Sequence, residues 1–461
     1  MSNEIESHIL KKYEIQTQLG QGAYGIVWRA VERKYNRIVA LKKIYDAFQN
    51  STDAQRTFRE IMFLHRLHHP NIIKLLHVHR AYNDRDIYLV FEYMETDLHV
   101  VIRANILEEI HKQFIMYQLL KTMKYLHSAE ILHRDMKPSN LLINSDCTMK
   151  VADFGLARSI LSLESEQASR PVLTDYIATR WYRPPEILLG STRYTKGVDM
   201  WSVGCILGEL MLGKPIFPGR STTNQLELIC SVTGMPSSAD VAATNSQFAH
   251  AMLRDIHLSH RRTFAELLPN ASADALDLIQ RLMCFNPNRR ISAKEALGHP
   301  YVAAFHRPDE EPVAPDPITI SLPDNERLPL DKYRDAIYEQ IAALRRGSAS
   351  GEQRQRMERQ AASGTASRKT STSSGAAAAA AAAASGSRAG TSSSTITRPN
   401  ASSSAAARVV PQRSTVKSTS TSVVNDSVPS KTYARPAFRQ AAPSTTGIES
   451  RPVARETVVR K

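Results

Sequence analysis

The chain has 461 residues, with 59 Lys and Arg against 45 Asp and Glu and a formal net charge of +14; that length accommodates a large folded domain with additional material. Its first twelve residues are polar and mixed in charge, and no apolar run approaches the roughly 18 residues that a span requires, so neither a secretory leader nor a membrane helix is expected. The four cysteines, Cys147, Cys205, Cys230 and Cys284, form no CxxC pair and no cluster with histidine, which argues against a disulfide framework or a zinc site and fits a reducing compartment.

From Tyr13 to Leu41, β-branched and aromatic residues alternate around a glycine-rich turn, Gly20-x-Gly22-x-x-Gly25-x-Val27, and predict strands. The turn lies between two strand patterns, not between a strand and a helix, which argues against a dinucleotide fold. Glycines there let backbone N–H groups approach phosphates, although an ordinary tight hairpin uses the same spacing. Val39-Ala40-Leu41-Lys42 follows one strand later. Ala54 to Leu67 predicts an amphipathic helix, with Phe58, Ile61, Met62, Leu64 and Leu67 near helical spacing. Ile87 to Phe91 reads as a short apolar strand. From Glu108 onward helical patterns dominate, as in Phe114 to His127 and Trp201 to Leu212. A strand-rich first part and a larger helical second part define an α+β, two-lobed arrangement.

After His306 the composition changes. Arg307 to Pro329 is rich in proline and acidic residues and predicts an extended segment able to wrap back over the domain; Leu330 to Arg346 carries one more helical pattern. Beyond Gly347 the chain is Ser, Thr, Ala, Arg and Gly, with a nine-alanine run at Ala376 to Ala384 and only Tyr433 and Phe438 as aromatics. Such a segment buries too little apolar surface to offset its ordering entropy and is expected to be disordered. From Ser350 it holds 17 Lys and Arg against 5 Asp and Glu, so the basic excess sits in this tail and the rest of the chain is near neutral. The expected divisions are an N-terminal segment 1–12, a catalytic domain 13–305, an extension 306–346 and a tail 347–461.

The glycine-rich turn, Lys42, His133-Arg134-Asp135 with Asn140 five residues later, Asp153-Phe154-Gly155 and Pro184-Pro185-Glu186 occur in one order. Together they resemble the complete phosphoryl-transfer site of a protein kinase, served by ATP and Mg2+. In that frame Leu19, Gly20, Gln21, Gly22, Ala23, Tyr24, Gly25, Ile26 and Val27 form the loop over the phosphates. Val27, Ala40 and Leu142 would sandwich the base, Phe91 would stand behind it, and Glu92 and Met94 would offer backbone contacts; all of these would serve equally well as core. Lys42, held by Glu60, would reach the α- and β-phosphates. Asp135 would orient the substrate hydroxyl and accept its proton. Lys137, two residues on, would steady the γ-phosphate and points to Ser/Thr substrates. Asn140 and Asp153 would hold magnesium. Met136 stands where Leu is usual, a volume-conserving exchange. Glu186 is expected to pair with Arg290 in a structural role.

Within the kinases the chain resembles the mitogen-activated protein kinases over roughly residues 10–305. The activation segment contains Thr174-Asp175-Tyr176 followed by Ile177-Ala178-Thr179-Arg180-Trp181-Tyr182-Arg183; Met94-Glu95-Thr96-Asp97-Leu98 also matches, and Arg307-Pro308-Asp309-Glu310-Glu311-Pro312 resembles the acidic docking patch. The long Ser/Thr/Arg tail and Arg158-Ser159-Ile160-Leu161 are most similar to the atypical mitogen-activated protein kinase 15 branch (extracellular signal-regulated kinase 7/8 type), although that branch carries Glu where Asp175 stands here. The resemblance implies several roles. Phosphorylated Thr174 would be gripped by Arg59, Arg134 and Arg158. Phosphorylated Tyr176 would pair with Arg180 and Arg183 and open the pocket for a proline after the target residue. Thr179 joins the catalytic set. Asp309 and Glu310 would receive docking peptides carrying basic and apolar residues. The branch is associated with autophosphorylation of its Thr-x-Tyr motif and suggests cytoplasm and nucleus, with cytoskeleton, basal body or cilium as branch-level options.

Two other functions fit parts of this pattern: a cyclin-dependent-like kinase, disfavoured by the Thr-x-Tyr motif and the docking-like segment, and an ATP-binding scaffold, disfavoured by the intact Lys42, Glu60, Asp135, Asn140 and Asp153. None of the 23 prolines follows Ser or Thr, so the tail offers a proline-directed enzyme no preferred site, while Arg345-Arg346-Gly347-Ser348 and Arg368-Lys369-Thr370-Ser371 suit basophilic kinases. The tail itself is either a solvated extension or an electrostatic attachment to an acidic polymer such as nucleic acid or a microtubule surface. Tyr338-Glu339-Gln340-Ile341 fits an aromatic-x-x-aliphatic peptide that adds to a partner's sheet, or else a helix face docked on the domain.

Overall fold

Alternation of apolar and polar residues builds the first lobe. In the computed structural model a short helix α1 (Ser7–Leu10) leads into five antiparallel strands, β1 (Tyr13–Gly22), β2 (Gly25–Glu32), β3 (Arg37–Ile44), β4 (Leu75–Arg80) and β5 (Ile87–Glu92), arranged in the order β1-β2-β3-β5-β4. The structure describes residues 5–343 and 346, apart from 23–24, 165–179, 259 and 325. Ala23, Tyr24, Thr174, Tyr176, Thr179 and the tail expected from 347 therefore lie outside the described residues. Those described all belong to the first of two units, Met1–Ala377.

Register decides which side chains can meet. Val27 is opposite Lys42, and Ala40 is opposite Phe91. Cross-strand partners share a face and faces alternate along a strand, so Val27, Ala40, Lys42 and Phe91 share one face. Ile26 pairs with Lys43 and is buried on the opposite face. This corrects its expected place at the nucleotide: a one-residue step along a strand reverses the side chain.

Helix α2 (Ser51–Arg66) begins three residues earlier than the apolar pattern suggested, because the Asn50 side chain accepts the Asp53 N–H at 3.0 Å and caps it. Its inner face buries Phe58, Ile61, Phe63 and Leu64, and also the charged Arg59 and Glu60.

The second lobe follows with β6 (Thr96–Asp97), α3 (Leu98–Ala104), α4 (Glu109–Ser128), β7 (Ile131–Leu132), β8 (Leu141–Ile143), β9 (Met149–Val151), β10 (Arg158–Ser159), α5 (Ile160–Glu164), α6 (Pro185–Leu188) and α7 (Gly197–Leu212). β6, β8 and β9 form a small sheet, and β10 pairs with β7. Helix α7 is apolar on nearly every side and is buried almost throughout, with Trp201 fully buried. Further helices between Thr222 and Leu297 complete this lobe. One apolar core runs from Phe58 and Leu64 through Phe154 to Trp201.

The extension wraps back as its composition suggested. The Ala314 N–H donates to Ser128 Oγ at 2.8 Å and the Ile318 N–H to the Ala129 carbonyl at 2.9 Å. A helix over residues 330–343 then lies on α2, with Tyr333, Ile337 and Ile341 buried and the Tyr333 ring 5.7 Å from that of Phe58. Tyr338 stacks under the Arg80 guanidinium at 3.8 Å. The Tyr338-to-Ile341 segment is thus a docked helix face within the domain, not an extended peptide.

Candidate active site

Strand β3 and helix α2 bring Lys42 and Glu60 together: Lys42 Nζ lies 2.8 and 3.1 Å from the two Glu60 carboxylate oxygens. Burial works against the Lys42 charge, but Glu60, and after it Asp153, outweigh burial and raise its pKa above the usual lysine range. The amine is therefore held as a cation on the face that also presents Val27, Ala40 and Phe91.

Above it, the glycine-rich hairpin closes with Gly22 opposite Gly25. A Cβ at Gly25 would stand 1.9 Å from the Lys43 carbonyl oxygen, so that position admits only glycine. At Gly20 and Gly22 a Cβ would meet nothing within 4 Å. Two bare, exposed backbone positions over the Lys42 face are the space a phosphate chain needs. The Glu92 N–H donates to the Lys74 carbonyl at 3.1 Å, and Met94, two residues on, is buried. Leu142 is half-buried on β8, and Leu19 is exposed on β1.

The catalytic loop is fixed from below. Asp199, fully buried in α7, accepts the N–H groups of His133 and Arg134, each at 2.9 Å, and hydrogen-bonds His127 Nε2 at 3.2 Å. This holds Arg134 in a left-handed conformation, φ 67. Sequence reasoning passed over Asp199; the signal available was an acid near the start of the apolar run that ends at Leu212. Beyond Arg134, Lys137 Nζ lies 2.7 Å from Asp135 Oδ2, and Asn140 Nδ2 donates to the Asp135 carbonyl at 2.8 Å and to its Oδ2 at 3.2 Å. The Ala152 N–H donates to the Asn140 carbonyl at 2.9 Å, tying the catalytic loop to the residue before Asp153. The His133 and Phe154 rings meet edge-on at 4.9 Å.

Asp153 also adopts a left-handed backbone, φ 62. Burial works against its charge, but Arg56, then Lys42, His133 and Lys137, overcome that and hold its pKa down at about 2. Arg56, which the sequence reading missed, contacts the carboxylate at 3.0 and 3.3 Å. Among the described residues no three His, Cys, Asp or Glu side chains gather as a metal cage. One carboxylate on Asp153 and one amide oxygen on Asn140 instead match a magnesium ion that completes its shell with phosphate oxygens and water. The residues present fit a magnesium-nucleotide.

Glu186 and Arg290 form the expected pair, buried and bidentate, with both contacts 2.6 Å. Asp135, Met136, Tyr182, Arg183, Pro184 and Tyr194 line a recess beside the catalytic loop. Arg180 lies in a short turn, Arg180–Tyr182. Arg59 and Arg158 come together, Arg134 stacks on Tyr194 at 4.3 Å, and an unexpected residue, Asp324, sits at the first two: it is 2.5 Å from Arg59 Nε and 3.3 Å from Arg158 Nε. In the acidic segment, Asp309 and Glu310 are exposed, while Glu311 is buried against Lys124 at 3.2 Å and His306 at 2.6 Å.

Residues 13–302 match the protein kinase domain, the class that this fold and cleft define. Over 341 residues, 74% of this chain and 92% of the relative, the sequence is 63% identical to Extracellular signal-regulated kinase 2 of Dictyostelium discoideum. It is 54% identical to Mitogen-activated protein kinase 15 of Xenopus laevis over 73% of this chain and 58% of that relative, and 46% identical to Extracellular signal-regulated kinase 7 of Drosophila melanogaster over 73% of this chain and 37% of that relative. The chain belongs to the mitogen-activated protein kinases, which are serine/threonine protein kinases.

Proposed function

We propose that the chain is an ATP-dependent, proline-directed serine/threonine kinase that phosphorylates its own Thr174 and Tyr176 and is activated by doing so. The observation that carries the ATP-dependent kinase reading is the closed Lys42–Glu60 pair in the same cleft as Asp135, Asn140 and Asp153, while proline direction and self-phosphorylation rest on the family resemblance. Lys42 binds the α- and β-phosphates of ATP. Asp153 and Asn140 would hold magnesium, which would supply positive charge against the transferring group. Asp135 accepts the proton of the substrate hydroxyl as that oxygen bonds the γ-phosphorus and the bond to the β–γ bridging oxygen breaks, leaving ADP. Lys137, already 2.7 Å from Asp135, steadies the transferred group. Phosphate on Thr174 engages Arg59, Arg134 and Arg158; phosphate on Tyr176 engages Arg180 and Arg183 and shapes the recess beside Asp135 for proline. Asp309 and Glu310 remain exposed for basic docking peptides. The family resemblance extends this to work in the cytoplasm and nucleus, and the basic excess of the tail favours its binding to an acidic polymer.

The test is phosphopeptide mass spectrometry on bacterially expressed protein, wild type beside Lys42→Met, followed by assays on paired Ser-Pro and Ser-Ala peptides. Phosphate on Thr174 and Tyr176 in wild type alone, with transfer to Ser-Pro, supports the reading. Dual phosphorylation in neither protein points to an upstream kinase, and no transfer to any peptide by dually phosphorylated enzyme points to a scaffold.

A further inference from the structure

Arg59 and Asp324 are 265 residues apart in sequence, and each side chain is only 2% exposed where they meet. Two buried guanidinium groups facing one another are stable only with an anion between them. Here that anion is supplied by the extension. Its delivery is built into α2 itself: Gln55 Nε2 donates to the backbone carbonyls of Asp324 at 3.3 Å and Glu326 at 3.1 Å. Tyr333 then bridges the turn, donating to the Glu326 carbonyl and accepting from the Leu328 N–H, both at 3.1 Å.

The two arginines belong to different parts of the machinery. Arg59 adjoins Glu60, the partner of Lys42. Arg158 lies on β10 opposite Leu132, the residue before His133-Arg134-Asp135. A single carboxylate therefore ties helix α2 to the strand pair beneath the catalytic loop. We propose that Asp324 is a positioning residue, a built-in stand-in for the phosphate of Thr174 that holds α2 in its Lys42–Glu60 arrangement before Thr174 is modified. This rests on the assignment of Arg59, Arg134 and Arg158 as readers of that phosphate.

A carboxylate fills such a site incompletely. Arg59 Nη2 is buried with no hydrogen-bond partner, and Asp324 Oδ2, although 3.3 Å from Arg158 Nε, accepts no hydrogen bond either, so the carboxylate's reach and geometry leave a donor that the three oxygens and greater charge of a phosphate would engage. The Arg134 charge also weighs on Arg59, so the locus carries more positive charge than one carboxylate neutralises. Phosphate thus displaces Asp324 and replaces what it does, rather than adding an unrelated contact.

The experiment compares Asp324→Asn and Asp324→Glu in two full-length backgrounds: Thr174→Ala, and protein with phosphothreonine installed at 174 by stop-codon suppression. Peptide-kinase kcat and KM and the thermal midpoint are measured for each. In the Thr174→Ala background, Asp324→Asn should lower kcat by about tenfold with little change in peptide KM, and Asp324→Glu should restore most of it. With phosphothreonine present, Asp324→Asn should change kcat less than about threefold. Equal losses in both backgrounds would make Asp324 an ordinary structural ion pair and overturn the proposal, as would an unchanged or raised kcat in Thr174→Ala. A thermal midpoint lowered for Asp324→Asn and restored by Asp324→Glu without restored kcat would also overturn it. Failure of the underlying reading is seen separately: phosphothreonine at 174 would then leave the kcat of the otherwise wild-type chain at the Thr174→Ala level.

Discussion

The Arg56 guanidinium lies 3.0 Å from Asp153 Oδ2. The carboxylate expected to take a divalent cation already carries a positive partner, supplied by the helix that carries Glu60. Gly155 makes room for it: a Cβ there would stand 2.6 Å from Arg56 Cγ and Nε. Cation binding at Asp153 must therefore displace, or share the carboxylate with, a guanidinium.

Arg56→Ala is expected to lower the free Mg2+ needed for half-maximal activity by roughly fivefold, since a partly exposed pair of this kind is worth about 1 kcal/mol. Activity measured against free Mg2+ at fixed ATP checks this. An unchanged Mg2+ curve would show that the pair opens without cost.

Reading the chain in order located Lys42, Glu60, Asp135, Asn140 and Asp153 because phosphoryl transfer demands particular side chains at particular spacings, and the strands and helices carrying them have clear periods. The Lys42–Glu60 contact spans only 18 positions. Arg56–Asp153 spans 97 and Arg59–Asp324 spans 265. Contacts of that separation leave no local pattern, because any helix surface carries arginines and any loop carries aspartates. Ile26 failed for the opposite reason: motif membership does not say which face of β2 a side chain takes, and Ile26 pairs with Lys43 on the face away from Lys42. Glu311 likewise shares the exposed acidic run of Asp309 and Glu310 in sequence, yet the chain turns it inward to Lys124 and His306.

The glycines of the hairpin separate packing from ligand space. Gly25→Ala places a Cβ 1.9 Å from a backbone oxygen and must shift β2 or β3, so its thermal midpoint should fall by several degrees. Gly20→Ala meets no neighbour within 4 Å and should leave the midpoint nearly unchanged while raising KM for ATP severalfold. Calorimetry and ATP titration of the two variants check the contrast. Equal ATP affinity in wild type and Gly20→Ala would place the phosphates elsewhere.

The Glu186–Arg290 pair is buried on both sides, with the Arg290 and Glu186 side chains 1% and 3% exposed. Arg290→Ala leaves an uncompensated carboxylate inside the second lobe, where it is expected to cost about 3–5 kcal/mol. Arg290→Ala with Glu186→Leu should recover part of that loss, because the stranded charge is removed as well. Urea unfolding of both variants measures the difference; a double variant no more stable than the single one would mean that Arg290's bonds to the Cys284, Phe285 and Gly197 carbonyls dominate instead.

His69 supplies a pH dependence of stability away from catalysis. Its Nδ1 accepts the Asn71 N–H at 3.0 Å, which puts the ring proton on Nε2, buried and without a hydrogen-bond partner. A second proton would have to take Nδ1 and break that bond. Burial, assisted by the charges of Lys121 and Lys150, pushes the His69 pKa down to about 3. Between pH 6.5 and 3 the unfolded chain therefore holds a proton at this site that the folded chain does not, so the His69 contribution to stability is present above the unfolded pKa and is lost as pH falls through that window. The loss should reach about 2 kcal/mol between pH 7 and pH 5. His69→Asn keeps an acceptor for Asn71 and removes the titration, so its stability should fall less steeply over the same interval. Urea midpoints at pH 7, 6 and 5 for the two proteins provide the comparison, and parallel pH curves would show that His69 takes up its proton in the folded state.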